Sequence, residues 1–124
     1  MAATVEVAIT VSVNGLGKGS ECKDIFTDTV APEVSIHVEQ QQQETADTAE
    51  VLNVGAIDTV RGVWIRAITG DIAVDTSYVS AFNSEQIIYA GTSRVFTPSG
   101  TVWIKNNTDL GQVTFEYLAW GTQT

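Results

Sequence analysis

The sequence predicts an all-β chain, folded as an antiparallel β-sandwich of about eight or nine strands, with the jelly roll as the leading arrangement. Three observations carry this. Apolar residues recur with a period of two almost everywhere; Gly, Asn, Asp and Pro punctuate the chain at short intervals; and no stretch has convincing helical periodicity, 75–86 ("DTSYVSAFNSEQ") being the doubtful segment. The 124 residues fit one domain with one core, 1–124, within which 1–30 read as an N-terminal strand and Gly-rich loop resembling an arm.

The first strand is "TVEVAITVSVN", with Val5, Val7, Ile9, Val11 and Val13 on one face and Glu6, Ala8, Thr10 and Ser12 on the other. β-Branched residues suit such a pleated, half-buried surface. Asn14-Gly15 ends it with a turn, and "GLGKGS" continues as a loop. That loop lacks the spacing of a phosphate-binding loop, and "ECKDIFTD" after it opens no apolar-periodic helix. Pro32 marks the next boundary. In "EVSIHVE", Val34, Ile36 and Val38 point inward and Ser35, His37 and Glu39 outward. The polar stretch 39–50 fits a loop, a short helix or the solvated end of that strand. As an edge strand, Gln40, Gln41, Gln42 and Gln43 would present unpaired backbone groups, with no Lys or Pro to deter a partner strand.

From Glu50 onward, short strands alternate with turns. "EVLNVG" ends at Gly55, and "DTVRGVWIRAIT" carries a bulge signal at Gly62. A turn at Thr69-Gly70-Asp71 leads into "IAVD". "EQIIYA", a turn at Gly91, and "RVFT" follow. Pro98-Ser99-Gly100 turns into "TVWIKN", and "NNTDLG" turns into "QVTFEYLAW", where Val113, Phe115 and Tyr117 share a face.

Composition bounds the function. Charged residues are 17% of the chain, so much of the surface is Thr, Ser, Asn and Gln. The net charge of -9 argues against direct grip on nucleic acid or anionic lipid, which need clustered Lys and Arg. Nine of the fifteen acids lie in residues 1–50, a negative surface suited to solvent or a basic partner. Cys22 is the one cysteine, so no intrachain disulfide forms. "MAATVEVAIT" has neither the basic start nor the apolar run of a signal peptide, and no stretch approaches the ~20 apolar residues of a spanning helix. The expectation is a protein made in the cytoplasm. His37 is the single histidine and has no companion of metal-ligand type or spacing; no dinucleotide fingerprint, HExxH or CxxC occurs, and no pair of carboxylates is singled out by spacing. The expectation is no metal, no cofactor and no catalysis.

One feature is repeated. "VWIRAITG" (63–70) and "VWIKNNTD" (102–109) share Val-Trp-Ile, a following cation, and a Thr three residues beyond it. The pleat sends Val63, Ile65 and Ala67 to one face and Trp64 and Arg66 to the other; Val102 and Ile104 likewise oppose Trp103 and Lys105. Two uses compete. The aliphatic face fills the core while Trp and cation cover an outer face or subunit contact, or the two Trp form a platform for a sugar or base. Trp64, Arg66, Trp103 and Lys105 are the first interface candidates, and Gln40–Gln43 the second.

From Val34 onward, roughly three quarters of the chain, the layout resembles small all-β virion proteins of tailed bacteriophages. The resemblance runs through "VSIHVEQQQQETADT", "AEVLNVGAI", "GVWIRAITGDIAV", "AGTSRVFTPSG" and the closing "TVWIKNNTDLGQVTFEYLAWG". It implies a jelly-roll or related β-sandwich in the virion: a capsid decoration (cement) protein or a minor head or tail component. It also implies a homo-oligomer, with a trimer favoured, that binds the major capsid protein or other virion proteins without cofactor or catalysis. The alternative is a tail- or fibre-associated β-sandwich that binds carbohydrate or a receptor.

Overall fold

A computed structural model of the protein describes residues 5–13, 20–28, 34–43, 49–107 and 111–123. The Gly-rich loop at 14–19, the acidic stretch 44–48 and the turn at 108–110 lie outside the described residues. The chain divides into two compact units, Met1–Glu33 and Val34–Thr124.

The first unit is a two-stranded antiparallel ribbon of β1 (Val5–Val13) and β2 (Ser20–Asp28), in register from Val5 opposite Asp28 to Val13 opposite Ser20. No strand was expected over β2, because "SECKDIFTD" has no apolar alternation. Its strand is defined by pairing with β1. On β1, Val7 is buried, whereas Ile9, expected on the same half-buried face, is exposed.

The second unit is the sandwich. It contains β3 (Val34–Gln43), β4 (Glu50–Val51), β5 (Thr59–Ala67), β6 (Ile72–Asp75), β7 (Gln86–Ile88), β8 (Ser93–Phe96), β9 (Trp103–Asn106) and β10 (Val113–Thr122). Of the doubtful segment 75–86, Asp75 ends β6, Gln86 begins β7, and residues 76–85 between them are irregular. The strands form two four-stranded sheets, ordered β3-β10-β5-β8 and β4-β9-β6-β7, with every pair antiparallel. The pairing is nested: the first strand of the unit pairs with the last, β4 with β9, β5 with β8, and β6 with β7. Two further ladders, β10 with β5 and β9 with β6, complete the sheets.

Alternation builds the core. Val63, Ile65 and Ala67 of β5 and Val113, Phe115, Tyr117 and Ala119 of β10 are buried from one sheet. Ile72, Val74, Ile88 and Ile104 join the same cluster from the other, with Val102 and Leu52 at its margin. Each Val, Leu, Ile or Phe side chain among them contributes about 1.5–3 kcal/mol when fully buried, and each Ala less. Among the described residues, no buried side-chain nitrogen or oxygen lacks a hydrogen-bond partner, as a dry core requires.

Two register shifts bend the β10 ladders. Between Phe115 and Tyr117 the partner strand β3 carries one extra residue, since Phe115 faces Gln41 and Tyr117 faces Val38. Between Trp120 and Gly121 the extra residue is Arg61 of β5, next to Gly62, where the sequence signalled a bulge. Trp120 shares the outer side of β10 with Glu116 and Leu118, yet is only 5% exposed. Its indole lies against Gly62, where a Cβ would overlap the ring.

Gly62→Ala is therefore expected to cost about 1–3 kcal/mol through overpacking against Trp120. Ile65→Ala should cost about 2–5 kcal/mol by leaving a cavity at a fully buried site. Urea midpoints of the purified variants measure both. A Gly62→Ala protein as stable as the parent would contradict the indole contact.

Candidate functional site

The two Val-Trp-Ile copies occupy different sheets. Trp64 and Arg66 sit on β5, and Trp103 and Lys105 on β9. In each copy the aliphatic residues turn inward as the pleat predicts, and Trp and cation turn outward. Because the two sheets share one core between them, their outer faces point away from each other. Trp64 and Trp103 thus cannot form one platform. The repeat is one packing solution used twice, once on each outer face.

On the first outer face, Trp64 lies opposite Leu118 on one side and Val95 on the other, and all three are half-buried. Arg66 shares this face, but its guanidinium turns to a carboxylate. Arg66 Nη2 donates to Glu116 Oε1 at 2.9 Å, and His37 Nε2 lies 2.8 Å from Glu116 Oε2. Glu116 is therefore the shared acceptor of a tie across three neighbouring strands, β5, β10 and β3. His37 is on the polar face as expected, and this tie gives it a structural partner. Such exposed pairs contribute about 0–1 kcal/mol, so the tie orients side chains more than it stabilises the sheet.

The second outer face is covered by the β6–β7 connection. Tyr78 stacks on Trp103 with centroids 4.4 Å apart and planes inclined by 25°. Phe82 lies 6.5 Å from Tyr78, and the Lys105 ammonium lies over the Phe82 ring at 5.7 Å. The cation of this copy is thus paired with an aromatic ring from a loop. The alternation of β9 says nothing of Tyr78 or Phe82, which lie in a segment of otherwise small and polar residues.

Two carboxylates pin that connection. Asp75 is fully buried at the end of β6. Its Oδ1 accepts the Ser77 amide at 2.8 Å and its Oδ2 accepts the Asn83 amide at 2.9 Å, so one side chain holds both ends of the loop. Glu85 Oε1 accepts the Thr76 amide at 2.9 Å and the Thr76 hydroxyl at 2.6 Å. The Ser77 hydroxyl lies 3.1 Å from Asp75 Oδ1 and 2.8 Å from Glu85 Oε2, and its single proton serves one of them at a time. Thr76 gives its proton to Glu85, so in the 3.1 Å contact with Ser99 the donor is Ser99. This contact ties the foot of the loop to the turn before β9. The Asn83 amide, opposed by burial and aided by the Ser77 amide and hydroxyl, holds the Asp75 carboxyl below its ordinary value of 3.8. The Thr76 hydroxyl and amide, with Ser77, hold Glu85 below 4.5, against burial and the repulsion of Asp75.

Two concavities complete the site. A groove of about 450 Å³ is lined by the β4–β5 connection and the turn before β9, including Val51, Leu52, Val54, Ile57, Pro98 and Val102. Within the β4–β5 connection the Asn53 side-chain oxygen accepts the Gly55 amide at 2.9 Å, and Gly55 has a φ of 59° that favours glycine. A smaller pocket of about 140 Å³ lies between Gln41, Glu50, Asn53 and Tyr117. There the Tyr117 hydroxyl donates to the Asn53 carbonyl at 2.7 Å, and burial raises the phenol above its ordinary value of 10.0.

The glutamine tract continues a strand. Gln40–Gln43 belong to β3, which stands at the end of its sheet and, among the described residues, pairs with β10 alone. Of the readings for 39–50, the strand end is the one seen through Gln43. The bulge places Gln41 opposite Phe115, on the inward side, while Gln42 faces out opposite Thr114. The interface candidates thus fall in three places: two outer faces and one edge.

Among the described residues, no group of three or more His, Cys, Asp or Glu side chains is placed to hold a metal ion. Among the described residues, no helix is long and apolar enough to cross a membrane. No protein-family model, no curated protein and no solved structure matches the chain.

Acid should loosen the β6–β7 loop first. Depressed carboxyl pKa values stabilise the fold above the unfolded values of 3.8 and 4.5, and that contribution is lost as pH falls through the lower folded values. Asp75→Asn is expected to lower stability at neutral pH and to shrink the drop between pH 7 and pH 3. Urea midpoints at the two pH values test this, and an unchanged drop would remove Asp75 as a source. A double-mutant cycle with Tyr78→Ala and Trp103→Ala should return a coupling of about 0.5–1.5 kcal/mol; additive losses would deny the stack.

Proposed function

We propose that the chain is a structural protein of a virus particle: a capsid decoration protein of a tailed phage that works as a homo-oligomer on the assembled head. One observation carries this reading. The residues set apart by the sequence lie on the outer faces and open edge of a sandwich, where a docking protein needs its chemistry, and they do not converge on one cleft. The nested strand order supports it, since we read that order as a jelly roll, the arrangement implied by the resemblance to phage virion proteins.

On this reading the mechanism is mass action. The protein binds neighbouring coat subunits in the assembled shell and binds free subunits weakly. Occupancy then stabilises the shell by RT ln(1 + [L]/Kd) per site, and repetition over the lattice multiplies a modest contact. The Trp64 face, the β6–β7 connection that covers Trp103, and the β3 edge supply apolar and hydrogen-bonding area. A net charge of -9 favours a basic patch on the coat. The reading assigns the chain no catalytic step.

Immunogold microscopy with an antibody against the chain, on particles purified from cells carrying the encoding genome, tests this. Regular label over the heads is expected. Label confined to tails or fibres would favour the carbohydrate- or receptor-binding alternative, and unlabelled particles would end the virion reading.

A further inference from the structure

Each sheet of the sandwich ends in two edge strands, and an edge offers unpaired backbone amides and carbonyls to any strand that approaches. Three of these edges are poor templates. β4 is two residues long and β7 three, so each gives a partner little to hold. β8 has four residues, and its Arg94 lies opposite Ile65 on the inward side yet is exposed, a charge that an added strand would cover. β3 differs. It has ten residues with no Lys, Arg or Pro, and among the described residues it pairs with β10 alone. Ile36 and Val38 on its inward side are only half-buried, which leaves apolar area for a strand beyond the edge to cover.

The side chains of β3 match a reversed copy of the same strand. Glu39 and Gln40 form the bulge that faces Glu116, so both stand on the outer side with Ser35 and His37. Set two copies antiparallel about a two-fold axis at Val38 and keep the bulge. His37 of one copy then meets Glu39 and Gln40 of the other, Ile36 meets Gln41, and Ser35 meets Gln42. Inward residues face inward residues, and outward residues face outward ones, along the whole strand. Charge agrees with this register. Glu39 makes no ion pair among the described residues, whereas Glu116 is already held by Arg66 and His37. The second nitrogen of the His37 ring gains a partner in either protonation state: the Gln40 amide donates to a bare nitrogen, and the Glu39 carboxylate accepts from a protonated one. The net charge of -9 opposes any pairing of copies. That repulsion is screened over roughly 8 Å at physiological salt, while facing residues of paired strands stand about 5 Å apart.

We infer that two copies pair through β3, antiparallel about a two-fold axis at Val38, and join their β3-β10-β5-β8 sheets into one. The contact is isologous, so it closes both long edges at once and leaves β8 at each end of the joined sheet. Assembly through this edge stops at two. The inference goes beyond the proposed function, which calls for a homo-oligomer without naming its contact. It occupies the β3 edge within the dimer and leaves the Trp64 face and the β6–β7 connection to the shell.

Sedimentation equilibrium on the purified chain tests the pairing. Ser35 and Gln42 are both exposed and face each other across the axis, so they carry the substitutions. The parent is expected to be a dimer between about 1 and 100 µM. Ser35→Lys with Gln42→Lys sets cations against cations; Ser35→Glu with Gln42→Glu sets acids against acids. Each double variant should be monomeric with an unchanged circular dichroism spectrum, and their equimolar mixture should recover a dimer holding one of each. A monomeric or trimeric parent, double variants that dimerise as the parent does, or a mixture that stays monomeric would each overturn the pairing. Should a double variant fail to fold, amide hydrogen exchange on the parent decides. Exchange in β3 should slow as protein concentration rises while exchange in β8 does not, and an equal response of the two strands, or none, would overturn the pairing. Particle labelling is read separately, so unlabelled particles beside a dimeric parent would end the virion reading and leave the β3 pairing standing.

Discussion

The sandwich depends on the register of β10. This strand hydrogen-bonds to β3 on one side and β5 on the other, so it fixes three strands of one sheet at once. Its alternation also sends Val113, Phe115, Tyr117 and Ala119 into the core. A slip by one residue would bring Thr114, Glu116 and Leu118 inside and expose the aromatic pair, so the hydrophobic pattern itself enforces the pairing. The two bulges show where ideal alternation yields. At Arg61 the extra residue lets Trp120 settle on Gly62; in β3 the extra residue turns the glutamine tract.

The exterior follows from that interior. Once Val63 and Ile65 are inward, Trp64 and Arg66 must be outward, and the same holds for Trp103 and Lys105 about Ile104. What each Trp then meets is set by its sheet. Trp64 finds aliphatic neighbours on flanking strands, whereas Trp103 finds Tyr78 from a connection. Arg66 finds Glu116, and Lys105 finds a ring. One local pattern has two environments because strand neighbours come from distant parts of the chain.

That distinction explains what was legible in the sequence. The all-β class, the eight strands of the sandwich and the inward faces of β5, β9 and β10 follow from period two and turn residues, which are local signals. β2 was not legible, since "SECKDIFTD" has no alternating apolar face and is a strand through its partner. The separation of Trp64 from Trp103 depends on strand order, which local periodicity does not encode. Tyr78, Phe82 and Glu116 were missed for the same reason: each acts through a neighbour remote in sequence. Asp75 could have been suspected, as an acid closing an apolar strand two residues before a Ser, but its bond to Asn83 needs the loop to return.

The way the β6–β7 loop is fastened has a consequence for variation. The bonds that Asp75 makes at its two ends go to main-chain amides, which every residue except proline supplies. The shape of the loop is thereby separated from the identity of Val79, Ser80 and Ala81. Drift or deliberate grafting can rewrite those three positions while the carboxylate and the aromatic flanks keep the same frame.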